Sequence, residues 1–285
     1  MTVPALPGST GAYGRELSEA VTLARAAGAE VVRLRAGELG VEMKPGDEPV
    51  TVADRLASAL IVAGLTAAFP GDPIISEELP VGADALASPR VWLVDPIDGT
   101  KDFIRGGDGF AIMIGLAIGG VPTVGVVYQP TIDRLFFATP RIGDDGGAHV
   151  LDRGALHPLA VSAVATAADA RLVASASHRT TDIDRVKAEL RIHDELNIGS
   201  VGVKLCLIAL GVRDLYVNPA ARTKAWDTCA PEAILAGAGG QLTDLFGRAI
   251  DYHVELAHRR GLVGSNRHVH AEVVARLGPL FSNLA

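Results

Sequence analysis

The run from Phe110 to Tyr128 restricts the fold more than any other part of this chain. Phe110, Ile112, Ile114, Leu116 and Ile118 place a large apolar residue at every second position, the period of a strand and not of a helix. Gly119-Gly120 is a two-residue hairpin signal, and residues 124–128 return as the partner strand. Residues 135–138 extend the meander. A chain carrying such a block must build an antiparallel sheet and cover it with other layers.

The flanking sequence suggests those layers. Residues 15–35 read as an amphipathic helix with Leu17, Val21, Ala24, Gly28 and Val31 on one stripe. A loop with Pro45, Gly46 and Pro49 follows, and Thr51 then opens a second helix that stops at Pro70. Residues 74–76 and 91–94 are short apolar runs bounded by turn residues, read as strands. Residues 143–156 are rich in Gly and Asp and read as loop or edge. After Val161 strands (172–174, 193–197, 215–217) alternate with helices (201–210, 228–237, 270–277). The expectation is a layered α+β or α/β protein with an antiparallel N-terminal half, residues 1–160, and an alternating C-terminal half, residues 161–285.

Composition narrows the class. The 285 residues are 48% hydrophobic and 21% charged, a globular profile. The net charge of -7 and the lack of a Lys/Arg run argue against a nucleic-acid partner. No apolar run reaches the length of a membrane span, and the N-terminus lacks a basic segment followed by an apolar one. Cys206 and Cys229 lie far apart in apolar stretches without metal-ligand spacing, as expected of reduced core thiols in the cytoplasm.

The segment Val91-Trp-Leu-Val-Asp95-Pro-Ile-Asp98-Gly-Thr100 carries the sharpest chemical signal. An apolar strand ends in Asp95, and Pro96 and Gly99 force a tight turn at its tip. Two carboxylates there can converge on one point, the donor set that a hard cation such as Mg²⁺ selects. The carbonyl of Ile97 can face the same point, and Gly99 allows close approach of the backbone. An ordinary Asp-Pro-x-Asp-Gly turn is the alternative. Glu77-Glu78 follows another strand end; adjacent acids are otherwise a solvated loop. Asp54 stands three residues after Thr51, which also fits a capping box. Asp227, in Trp226-Asp227-Thr228, precedes an Ala/Gly-rich helix and also fits a cap.

Together these acids form a long pattern. The chain resembles the lithium-sensitive, Mg²⁺-dependent phosphatase superfamily that includes inositol monophosphatase, from about Val50 to Ala238. Haloacid-dehalogenase-type phosphatases also carry an Asp-x-Asp-Gly-Thr turn, but here one more residue separates the two acids, so an aspartyl-phosphate mechanism is not expected. The resemblance implies an αβαβα sandwich with an antiparallel N-terminal and a mixed C-terminal sheet. It implies two or three Mg²⁺ held by Glu77, Asp95, the Ile97 carbonyl, Asp98 and Asp227, and inhibition by Li⁺. It further implies that Asp54 and Thr100 relay a proton from the attacking water.

Within that superfamily, five segments resemble the CysQ-type 3'(2'),5'-bisphosphate nucleotidases: Asp47-Glu-Pro-Val-Thr51, Asp98-Gly-Thr-Lys-Asp-Phe103, Ser175-Ala-Ser-His178, Gly199-Ser200-Val-Gly-Val-Lys204 and Trp226-Asp-Thr-Cys-Ala-Pro-Glu232. Inositol monophosphatases usually carry Thr-Asn where Lys101-Asp102 stands. The implied reaction converts adenosine 3',5'-bisphosphate to AMP and phosphate; inositol 1-phosphate or a sugar (bis)phosphate is the alternative substrate. Substrate contacts are expected from Gly99, Thr100, His178, Ser200, Lys204 and Asp227, in a monomer or homodimer without membrane partners. Two positions depart from the family pattern. Val201 stands where a pocket serine is usual, with Ser200 one residue earlier, and Asn218 stands where an arginine often follows. Arg179, Arg222 and Lys224 are the candidates to replace that arginine.

Overall fold

The computed structural model describes residues 5–44, 48–82, 85–142, 145–176, 180–220 and 222–284. Helices α1 (Gly14–Arg35) and α2 (Val52–Ala68) are joined through a hairpin of β1 (Glu42–Lys44) and β2 (Glu48–Val50). The loop expected around Pro49 therefore contains two short strands, with Pro49 opposite Met43. Strands β3 (Ile74–Ser76), β4 (Arg90–Asp98), β5 (Ala111–Ile118), β6 (Val121–Gln129), β7 (Arg134–Ile142), β8 (Asp145–Asp152) and β9 (Ala155–Pro158) form one sheet in chain order. Every pair in it is antiparallel except β3–β4. The Gly/Asp-rich stretch is thus largely strand, with β9 at the edge. Its backbone pairing with β7 is invisible in a side-chain pattern diluted by Gly146 and Gly147.

A short helix, α3 (Thr100–Ile104), follows β4 directly. The second sheet contains β10 (Leu172–Ser175), β11 (Glu195–Ile198), β12 (Leu215–Asn218), β13 (Gln241–Thr243) and β14 (Leu262–Ser265), in the order β11-β10-β12-β14-β13. It is parallel across β11-β10-β12 and antiparallel beyond, hence mixed. The remaining helices are α4 (Thr181–Leu190), α5 (Val201–Ala209), α6 (Ala225–Gly237) and α7 (His270–Leu280).

The layers follow from burial. Ile112, Ile114 and Leu116 of β5 join the core under α1 and α2, while Ala111 and Met113 face the core with α5 and α6. A third core packs the second sheet against α4 and α7. The order is the expected αβαβα sandwich, with α5 and α6 between the sheets. Glycine lets α6 lie almost on the first sheet: a Cβ on Gly125 would stand 2.1 Å from the Ala230 carbonyl oxygen. That close approach carries the start of α6 to the end of β4. Among the described residues, no helix is long and apolar enough to cross a membrane.

Candidate active site

The end of β4 is irregular, and the irregularity makes the site. Its pairing with β5 shifts register between Asp95 and Asp98, a bulge that turns both acids to one side. Asp95 Oδ1 accepts the Ile97 N–H at 3.0 Å. Gly99 then sits at φ +94°, and a Cβ there would stand 2.8 Å from the Gly109 carbonyl oxygen. Only glycine accepts both demands.

Asp227 comes from α6, which begins three residues earlier than the sequence suggested. It is the third residue of that helix, and its Oδ2 accepts the Lys224 N–H at 2.6 Å. One carboxylate oxygen each of Asp95, Asp98 and Asp227 lie within 4.8 Å of one another. Burial, then repulsion from Glu77, Asp98 and Asp227, pushes the Asp95 carboxyl well above the usual carboxylate range. Burial, then Asp98 and Glu77, does the same to Asp227. None of the three has an ion-pair partner among the described residues. Three converging carboxylate oxygens, two of them on buried residues and none in an ion pair, with no His or Cys in the cluster among the described residues, fit a hard divalent cation.

Asp98 is held from behind. Its Oδ2 accepts the Ser200 hydroxyl at 2.5 Å and the Gly202 N–H at 2.7 Å. Burial raises its pKa, and Lys204 and these hydrogen bonds oppose the rise. Ser200, expected to contact substrate, is instead fully buried; it caps α5 through the Val203 N–H and fixes Asp98. The reason is its place at the N-cap, which spends the hydroxyl on the protein.

Glu77 lies outside the triad within 4.8 Å but lines the same cavity, and it is the largest charge acting on Asp95. Burial lifts its pKa to about 7, against the pull of Lys44, whose Nζ lies 3.0 Å away. Lys44 was not anticipated; it arrives on the β1–β2 hairpin that the sequence pattern concealed. Asp54 is buried at the start of α2. Its Oδ2 accepts the Thr51 N–H and hydroxyl, the capping box, while its Oδ1 is 3.2 Å from the Thr100 hydroxyl. Thr100 Oγ1 also lies 3.0 Å from the Ile97 carbonyl oxygen. The cap and the proposed relay are therefore the same carboxylate, used on two sides.

The cavity over these acids is walled by cations. Lys101, Lys204, Arg222 and Lys224 line it with Gly99, Tyr216 and Asn218. Lys204 is 1% exposed, donates to the Ile198 and Gly199 carbonyls at 3.0 and 2.7 Å, and lies over the Tyr216 ring. Burial lowers its pKa to about 8. Asn218 accepts the Ala220 N–H at 3.0 Å and so folds the turn that leads to Arg222. Asp102, adjacent to Lys101, accepts the Gly199 N–H at 3.0 Å and anchors the start of α5 to α3. His178 and Arg179 lie outside the described residues.

Comparison with known proteins agrees with this geometry. The 3'(2'),5'-bisphosphate nucleotidase CysQ of Salmonella typhimurium is 35% identical over 242 residues, 83% of this chain and 93% of that protein. A histidinol-phosphatase of Mycobacterium tuberculosis is 33% identical, over 87% of this chain and 92% of its own length. An inositol monophosphatase structure from Thermotoga maritima superposes with a TM-score of 0.79, covering 95% of this chain and 99% of that one at 24% identity, a likeness of fold. Residues 15–279 match the inositol monophosphatase family, and this chain belongs to that family.

Proposed function

We propose that this phosphoric monoester hydrolase is a Mg²⁺-dependent 3'(2'),5'-bisphosphate nucleotidase that converts adenosine 3',5'-bisphosphate to AMP and phosphate. The observation that carries the reading is one cavity in which Asp95, Asp98 and Asp227 converge without an ion pair among the described residues while Lys204, Arg222 and Lys224 line the other walls. A monophosphate needs only the first feature; a bisphosphate needs both. The likeness to CysQ supports the same substrate class.

Asp95, Asp98 and Asp227, with Glu77 and the Ile97 carbonyl, would hold Mg²⁺, two or three ions in all. When bound, the ions supply positive charge for the phosphate oxygens and lower the pKa of water. The chain's own groups do the rest. Asp54, fixed by Thr51, accepts the Thr100 hydroxyl proton and leaves a Thr100 lone pair free to accept a proton from water. Gly99 admits the backbone to the phosphate, and Lys204 has one ammonium hydrogen beyond the two given to carbonyls. His178 is a further candidate for the second phosphate. The two buried free cysteines suit a reducing, cytoplasmic setting.

A panel of adenosine 3',5'-bisphosphate, inositol 1-phosphate, histidinol phosphate and a sugar bisphosphate, assayed for phosphate release with Mg²⁺, tests the reading. The bisphosphate nucleotide is expected to give the highest kcat/KM, and millimolar Li⁺ is expected to inhibit. Preference for any other member of the panel would overturn the nucleotidase reading and leave the metal site standing.

A further inference from the structure

Behind the site, a buried polar chain runs from the middle of α6 back to its start. Glu232 Oε2 and Tyr252 Oη are 2.5 Å apart, Tyr252 Oη and Thr228 Oγ1 3.0 Å, and Thr228 Oγ1 and His258 Nε2 2.7 Å. The His258 imidazole also bonds the backbone of Lys224. Tyr252 and Thr228 are inaccessible to solvent and His258 is 5% exposed. The Lys224 N–H donates to Asp227 at 2.6 Å, so the chain of contacts ends on a residue of the acid cluster. The segment that supplies Tyr252 and His258 is tied to the same turn by backbone bonds, from Ala225 to Leu256 at 2.8 Å and from His258 to Thr223 at 3.0 Å.

We propose that Tyr252, with Glu232 and His258, is a positioning residue that sets the Lys224–Asp227 turn, and through it the metal affinity of Asp227. The mechanism above gives these groups no role, yet Tyr252 and His258 are polar groups placed where burial is costly unless every hydrogen is used, with the half-buried Glu232 beside them. The hydrogen inventory supports a single ordered chain. Tyr252 has one hydrogen and two acceptors beside it. If Glu232 carries a proton, it donates to Tyr252, Tyr252 to Thr228, Thr228 to His258, and His258 to the Lys224 carbonyl. Burial pushes the Glu232 carboxyl up to about 8 and the His258 imidazole down to about 4, the protonation states this order requires at neutral pH. Outer hydrogen bonds of this kind orient metal ligands.

The inference rests on Asp227 as a metal ligand, and calorimetric titration of Mg²⁺ into the full-length protein separates the two claims. Failure of the wild type to bind Mg²⁺ would remove the premise; the variants test the inference itself. Tyr252→Phe and Thr228→Val each break one link and are expected to weaken Mg²⁺ binding by about tenfold, the scale of an outer-shell change. Glu232→Gln keeps a neutral donor and is expected to bind Mg²⁺ as the wild type does. A remote core change, Leu277→Ala, lowers Tm without changing Mg²⁺ binding and calibrates a purely structural loss. Should Tyr252→Phe fail to fold, Thr228→Val carries the same test. Normal Mg²⁺ binding in the folded broken-link variants, with only a lower Tm, would overturn the proposal, as would a Glu232→Gln loss equal to theirs.

Discussion

Asp214 and the aspartates of the acid cluster behave in opposite ways. Asp214 is completely buried, yet its carboxyl is held below the usual range: burial alone would raise it, and Arg171 and Ser162 outweigh burial. Arg171 reaches it with Nε and Nη2 at 2.8 and 2.9 Å, and Ser162 at 2.5 Å. Asp95 and Asp227 are pushed up instead, first by burial and then by the neighbouring carboxylates. Burial of an acid therefore marks nothing by itself. What separates Asp95 and Asp227 from Asp214 is the company each keeps, other carboxylates in the first case and a guanidinium in the second.

The largest expected effects break that contrast from both sides. Asp95→Asn should lower kcat/KM by about a thousandfold, the upper end for losing one electrostatic contact to reacting charge. It should leave the metal-free protein as stable as before, because it removes repulsion. Asp214→Asn should do the reverse, keeping turnover and costing about 1 to 2 kcal/mol of stability, because the charge-assisted bonds to the half-exposed Arg171 are lost. Phosphate release and chemical denaturation on both variants check this; equal stability losses would erase the distinction.

Thr100→Ala comes next. It leaves every carboxylate in place and removes the hydroxyl that Asp54 faces. A fall in kcat of about a hundredfold with KM little changed is expected, the low end for losing a general acid–base partner. A loss of Tm with normal kcat would assign Asp54 to the α2 cap alone.

The same contrast has a pH signature. Glu77 keeps its proton up to about 7 in the folded chain, above its ordinary value of 4.5. A raised acid pKa means the folded state binds protons more tightly, so that stability is present below 4.5 and is lost as pH rises toward 7. Asp95 and Asp227 add to the same slope. Asp214, lowered, gives the opposite sign and matters only in acid. Denaturation in chelator at pH 5 and 7.5 should show the metal-free protein weaker at the higher pH. Mg²⁺ should flatten the difference, and a flat profile without Mg²⁺ would contradict the cluster's electrostatics.

What could be read from the sequence divides along similar lines. The meander from Phe110 was legible because both large and small residues obey a two-residue period. The turn from Asp95 to Thr100 was legible because Pro, Gly and two acids punctuate a strand end. Lys44, β8 and β13 were not, because they depend on backbone pairing between short, weakly patterned segments. Ser200 was placed in the substrate pocket from a motif, whereas its position at the head of α5 turns it inward to Asp98. The polar chain through Tyr252 was invisible, since Glu232 and His258 are 26 positions apart and meet only through tertiary packing.

The smallest effects concern the cationic wall, and they decide substrate more than rate. Lys204 is buried and already committed to two carbonyls, so one hydrogen remains for an anion. Arg222 is exposed and has no ion pair among the described residues, so it meets a phosphate only by leaving water. Charge-assisted contacts of the first kind are worth about one to two decades in kcat/KM, and solvated ones roughly fivefold or less. Lys204→Met should therefore lower kcat/KM for adenosine 3',5'-bisphosphate by about tenfold or more, and Arg222→Met by about threefold. Neither should much alter hydrolysis of a monophosphate, because the uncleaved phosphate is the group they contact. Equal losses on both substrates after Lys204→Met would mean that its carbonyl bonds merely hold residues 198–199 in place. A larger effect from Arg222 than from Lys204 would move the second phosphate to the approach of α6, where Asn218 folds the turn in place of the family's arginine.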